Sequence, residues 1–205
     1  KANERGMNEA NLIKAIDRHL SKPGTCALGY NTIAFDDEFI RNLYYRNFYD
    51  PYRREWSSGN SRWDILDLVR AARDLRPEGI SWPMTEDGKP SVKLELLSAA
   101  NNLNHENAHD ALSDVYATIA LARLIHDKQP KLFEWAFKHR TKDRARTLID
   151  LAERTPLVHT SASFYSEKGS TTLVCPLVTD PERRHIIHAF DLRFDPEEFL
   201  KLPEE

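Results

Sequence analysis

The spacing of the apolar residues changes at Pro156, and that change restricts the chain to an α/β part followed by a β part. Ahead of it, apolar side chains recur at helical intervals. Leu12, Ile13, Ile16 and Leu20 predict a helix over 7–20, closed by Ser21-Lys22-Pro23-Gly24. The short apolar run at 25–30 reads as a buried strand in a parallel pairing. A helix is expected over 36–47, stopped by Asp50-Pro51, and another over 61–75. In the second, Asn60 or Ser61 would cap and Ile65, Leu66, Val69 and Ala72 would face inward. Prolines and glycines make 76–92 a loop, after which Ser91 would cap a helix carrying Leu94, Leu97 and Leu103. The clearest helix is expected over 109–126, and one more over 131–139. Beyond Pro156, β-formers at 157–161, 171–178 and 185–190 lie between turn signals such as Lys168-Gly169 and Asp180-Pro181. The expected domains are 1–153 and 154–205, the second being the opening strands of a β domain.

Charge narrows the function classes. The net charge of −3 does not by itself point to nucleic acid. Its distribution does. Residues 154–205 hold 6 basic and 9 acidic side chains, whereas 1–153 hold 23 of each. Within 41–76 there are 8 arginines against 5 acids, together with 7 of the 20 aromatics. Arginine interleaved with aromatics suits single-stranded nucleic acid, because guanidinium groups meet phosphates and rings stack on bases. No apolar run is long enough to span a membrane. Residues 1–10 lack the apolar core of a secretory leader. Cys26 and Cys175 cannot form a disulfide framework or a four-ligand zinc site, so they read as reduced thiols in a cytoplasmic protein.

Two stretches carry candidate chemistry. Asn31-Thr32-Ile33-Ala34-Phe35-Asp36 lies between an expected strand and an expected helix. A carboxylate there would face the crevice in which open α/β sheets bind ligands. Taken alone, an Asp at a helix start reads first as an N-cap. In Ala108-His109-Asp110-Ala111-Leu112-Ser113-Asp114, residues His109 and Asp114 are five apart, which on one continuous helix sets them about 140° apart. They can share a site only if His109 stands in the entry to that helix. Asp114 borders core-type residues, where a carboxylate calls for a metal, a cation or a catalytic task.

These residues carry a resemblance. N-x-x-x-F-D in a strand-to-helix turn, then H-x-x-x-x-D about 70 residues later, resembles two motifs of the DEDDh 3′→5′ exonucleases. The strings GYNTIAFDDEFIRNLYYRNFYDPY, NSRWDILDLVRA, LRPEGISWP and NAHDALSDVYATIALA are similar to the bacterial exonuclease I family. The likeness covers essentially the whole chain. It implies an RNase H-like exonuclease domain followed by the start of an SH3-like β domain. It further implies a single-stranded DNA-specific 3′→5′ exodeoxyribonuclease of DNA repair and recombination that releases 5′-mononucleotides.

By that resemblance Asp114 and Asp36 are metal-binding and catalytic, and His109 is the general base on the attacking water. Two Mg²⁺ ions are implied, with Mn²⁺ as a substitute. Arg41, Tyr52, Trp56, Arg70, Arg76 and Lys93 are the implied DNA-binding residues. Single-stranded DNA and the C-terminal tail of single-strand-binding protein are the implied partners of a monomer. One departure stands out. The family's first motif, Asp-x-Glu on a buried strand, is expected upstream of Lys1. The strings at 36–38, 180–182 and 195–197 lie on a helix or contain proline in turns. These 205 residues alone are therefore expected to be inactive. The alternative reading is a non-catalytic single-strand-binding or protein-interaction module.

Overall fold

The first apolar stripe folds as α1 (Glu9–Leu20), capped by Asn8, whose side chain accepts from the Asn11 amide at 2.9 Å. The computed structural model describes residues 6–103, 111–164 and 169–201. After α1 come β1 (Cys26–Gly29), α2 (Asp36–Arg46) and β2 (Ser61–Asp64). Strands β1 and β2 pair in parallel, from Cys26 against Ser61 to Gly29 against Asp64. Parallel neighbours need a crossover, and α2 supplies it. Single 3₁₀ turns at Arg53–Glu55 and Ser57–Gly59 lead the chain back into β2.

Helices α3 (Leu66–Leu75), α4 (Leu94–Ala100), α5 (Ala111–Lys128) and α6 (Pro130–Lys138) pack beside this pair. Their buried residues converge with those of β2. Trp63, Ile65, Leu68, Val69, Ala72, Leu97, Leu121 and Ile125 form one core cluster. Burial of such side chains is worth about 1.5–3 kcal/mol each. Trp63 meets Phe133 and Phe137 of α6 edge-on, at centroid distances of 5.1 and 5.2 Å.

The expectations hold for most helices and need correction at three points. Residues 61–64 are a strand, not the first turn of a helix, and Ile65 holds the N-cap position of α3. Asn60 is not a cap: its Oδ1 accepts from Thr25 N at 3.0 Å and its Nδ2 donates to Leu20 O at 3.1 Å. It joins the end of α1 to the start of β1. Ser91 does not cap α4 either, since Lys93 holds that position without a side-chain bond, and the helix ends at Ala100, short of Leu103.

A single turn α7 (Lys142–Arg146), not foreseen, precedes the last part of the chain. There β3 (Leu157–Thr160), β4 (Thr171–Thr179) and β5 (Ile187–Asp191) form an antiparallel meander in that order. Pro176 sits in the central strand, where it cannot donate to the ladder, and the register of β4 on β5 shifts there. A further turn, α8 (Glu197–Leu200), follows. The sheet is tied to α3: Asp74 accepts from Ser170 N at 2.6 Å, and Arg73 Nη2 donates to Ser170 Oγ at 3.2 Å. No helix of the described residues is long and apolar enough to cross a membrane.

Candidate active site and nucleic-acid interface

Asp36 is the first residue of α2, directly after the turn that leaves β1. Phe35 holds the N-cap position and no side chain caps the helix, so the N-cap reading of Asp36 does not hold. The carboxylate is exposed, and no described residue hydrogen bonds to it. Its neighbour Asp37 has the opposite fate. Asp37 is buried and accepts from Arg54 Nη2 at 2.8 Å and Arg62 Nη1 at 2.7 Å. Burial pushes its carboxyl up, but the bonds and charges of the two guanidinium groups outweigh this and hold it below the usual carboxylate range.

Asp114 lies in the opening turn of α5 and is half-buried. The apolar border expected around it is only partly closed. Val115 is exposed, and full burial on α5 begins at Ala117 and Thr118. His109 lies outside the described residues. Asp36 and Asp114 each present a hard oxygen donor at the start of a helix, where the dipole favours negative charge. Among the described residues no group of three acids, histidines or cysteines is placed to hold a metal ion. The described part thus supplies two donors of the kind Mg²⁺ takes, not a closed cage.

The nucleic-acid candidates fall into two groups. In the α2–β2 connection, Tyr52 and Trp56 are more than half exposed, at 55% and 68%. The Arg41 guanidinium lies 4.9 Å from the Tyr52 ring centroid. Arg41 is also gripped by Glu55, with Nε and Nη2 both at 2.8 Å, and by Glu38. The remaining candidates lie on α3 and at the start of α4. Tyr30 donates to Val92 O beside Lys93, and the Arg70 charge acts on the same hydroxyl. Arg70 pairs with Asp67 at 2.6 Å, one turn earlier on α3. Arg76, at the end of α3, is exposed and donates to Leu75 O at 2.6 Å. Lys93 is exposed, with no ion pair among the described residues.

Sequence reasoning passed over Asp64, which closes β2. Its carboxylate accepts from Asn31 N at 2.8 Å, Ile33 N at 3.2 Å and Leu66 N at 3.0 Å. The available signal was an Asp at a strand end, but the strand itself was read as helix. On the far side, a shallow hollow of about 350 Å³ lies between β1, α5 and α6. Leu28, Ile119, Ala122 and Phe133 line it together with the side chains of Arg123 and His126.

A parallel βαβ unit with acids at helix starts, followed by a small antiparallel sheet, fits an RNase H-like exonuclease domain joined to an SH3-like domain, as the family models show. The Exonuclease family model matches residues 8–122, and the model of the Exonuclease I SH3-like domain matches 140–205. The chain belongs to the exonuclease family, within its exonuclease I branch. Exodeoxyribonuclease I of Escherichia coli (strain K12) is 49% identical over 202 residues, covering 98% of this chain. The chain spans 42% of that relative's length. The crystal structure of E. coli exonuclease I with a dA16 oligonucleotide superposes with a TM-score of 0.91. It is 50% identical in sequence, over 96% of this chain and 42% of that one. A complex of exonuclease I with SSB-Ct gives a TM-score of 0.90 at 48% identity, over 98% and 43% of the two chains.

Proposed function

We propose that this chain is the site-bearing part of a single-strand-specific 3′→5′ exodeoxyribonuclease. The observation that carries the reading is its likeness to an exonuclease I bound to a dA16 oligonucleotide. The exposed acid on α2 and the acid on α5 fall on the motifs of that family. Asp36 and Asp114 would hold the metal, for which two Mg²⁺, or Mn²⁺ in their place, suit carboxylate oxygens. Bound there, such ions supply charge stabilisation at the phosphate and lower the pKa of a bound water. His109 takes the proton of the attacking water, a role suited to an imidazole that titrates near neutrality. The water oxygen bonds to phosphorus, the bond to the 3′-oxygen breaks, that oxygen takes up a proton from solvent to become the new 3′-hydroxyl, and a 5′-mononucleotide leaves. Arg70, Arg76 and Lys93 serve phosphates, Tyr52 and Trp56 serve bases, and Arg41 supports the Tyr52 ring.

Two partners follow from this reading. One is single-stranded DNA. The other is the C-terminal tail of single-strand-binding protein, supported by the relative that was crystallised with SSB-Ct. Repair and recombination are the processes in which such an enzyme acts. We also place the domain limits at 1–153 and 154–205.

The test follows nucleotide release from 3′-labelled single-stranded DNA by the complete polypeptide, with Mg²⁺ and with EDTA. His109→Ala is expected to lose about 10²–10⁴-fold in kcat. Asp36→Ala and Asp114→Ala are expected to lose at least as much. DNA binding that survives with no metal-dependent release in the unmutated protein would leave a binding module instead of an enzyme.

A further inference from the structure

We propose that Asp64 is the positioning residue of the active site: from the end of β2 it fixes the turn that aims the Asp36 carboxylate. The inference rests on the metal-binding reading of Asp36. Asp64 stands opposite Gly29 in the parallel register, so both strands end at the same level. The backbone then enters Asn31 with φ of 58°, a left-handed conformation that needs outside support. That support is Asp64. One of its oxygens takes the amides of Asn31 and Leu66, and the other takes the amide of Ile33.

The two held amides bracket Thr32. Its side chain packs so closely on Gly29 that a Cβ there would lie 2.0 Å from Thr32 Cγ2. Its carbonyl, in turn, accepts from Phe35 N at 3.2 Å and Asp37 N at 2.9 Å, which starts α2. Asp36 sits between those two donors. An unbroken relay of hydrogen bonds therefore runs from the Asp64 carboxylate through Thr32 to the backbone on either side of Asp36. No other side chain among the described residues holds the amides of 31 or 33. The Leu66 bond adds rigidity, because it ties the same carboxylate to the start of α3.

A loosened relay would displace Asp36 without touching DNA. Outer groups that orient metal ligands are typically worth about 10–100-fold in affinity or activity. The complete polypeptide is assayed as Asp64→Ala, Asp64→Asn and Asp36→Ala. Asp64→Ala is expected to lower kcat about 10–100-fold, and to weaken Mn²⁺ binding by a similar factor in direct titration. Affinity for oligo-dT in EDTA should not change. Hydrogen exchange at the amides of Asn31 and Ile33 should quicken. Asp64→Asn keeps one acceptor oxygen and should fall between Ala and the unmutated protein. It is also the variant to read if Ala fails to fold. Unchanged kcat and Mn²⁺ affinity in Asp64→Ala, with Asp36→Ala inactive, would reduce Asp64 to a structural staple. Unchanged kcat in Asp36→Ala would instead remove the reading of Asp36, and this inference with it.

Discussion

Asp36 and Asp37 are adjacent acids with opposite environments, and the side chains that reach them decide their roles. Asp37 lies under Arg54, whose side chain is only 2% exposed, and Arg62 closes the other oxygen. Taking one partner from a buried pair leaves an uncompensated charge, which costs about 3–5 kcal/mol. Asp37→Asn is therefore expected to lower unfolding free energy by about that amount at neutral pH, measured by urea melts. The pH dependence has a definite sign. The Asp37 carboxyl is depressed in the folded state, so its contribution is full above the ordinary value of 3.8 and is lost as pH falls through the folded value. The gap between wild type and Asp37→Asn should start to narrow as pH falls below 3.8 and go on narrowing down to the folded value. A gap that stays equally wide from pH 7 down to acid unfolding would show that the acid acts by shape alone. Asp36 has no such partner among the described residues, as the proposed metal-binding role requires.

At the scale of elements, what could be read from the sequence depended on length. Helices α1, α5 and α6 repeat their apolar spacing over several turns, and the meander strands stand between clear turn signals. Ser61–Asp64 offers only four residues. Ile65, Val69 and Ala72 behind it keep helical spacing, so the strand was absorbed into the helix. With β2 misread, the crossover was invisible, and with it the clamp by Asp64. The motif acids were singled out through the family resemblance; the Asp37–Arg54–Arg62 cluster was not, because it unites three separate segments. Asn60 turns this lesson into a test. It is buried, and its side chain both accepts, from Thr25 N, and donates, to Leu20 O. A helix cap would tolerate Asp as well as Asn. A bridge would not, since Asp cannot donate to Leu20 O. Asn60→Asp is expected to cost about 1–3 kcal/mol in thermal or urea unfolding, and Asn60→Ala at least as much. Equal stability of Asn60→Asp and wild type would restore the cap.

For the molecule as a whole, the charge is −3 and all of that excess lies in residues 154–205, so a uniform attraction to DNA is excluded. On the proposed function, binding would come from local patches, whose members differ in how the fold holds them. Arg41 is held bidentately by Glu55, and both side chains are largely covered, at 14% and 11% exposure. Its charge is already neutralised within the fold. Arg70 is nearly as covered, at 17%, but among the described residues it has the single partner Asp67, which is 59% exposed, so this pair competes less strongly with a phosphate. Arg76 and Lys93 are exposed and meet no carboxylate among the described residues. Replacing Lys93, Arg76 or Arg70 by Ala should each lower the slope of log K against log[salt] by roughly 0.7, the value for one phosphate contact on a single strand. Arg41→Ala should leave that slope nearly unchanged and weaken binding through the loosened Tyr52 ring. Tyr52→Ala and Trp56→Ala should cost about 1–3 kcal/mol per lost stack, also with little change of slope, because a stacked base releases no condensed counterions. Fluorescence anisotropy with labelled oligo-dT across a salt series reads both quantities, and EDTA prevents cleavage and sets the metal ligands aside. A full drop in slope for Arg41→Ala would mean that DNA pulls Arg41 away from Glu55. Wild-type slope and affinity in all six variants would return these side chains to surface charge and loop packing.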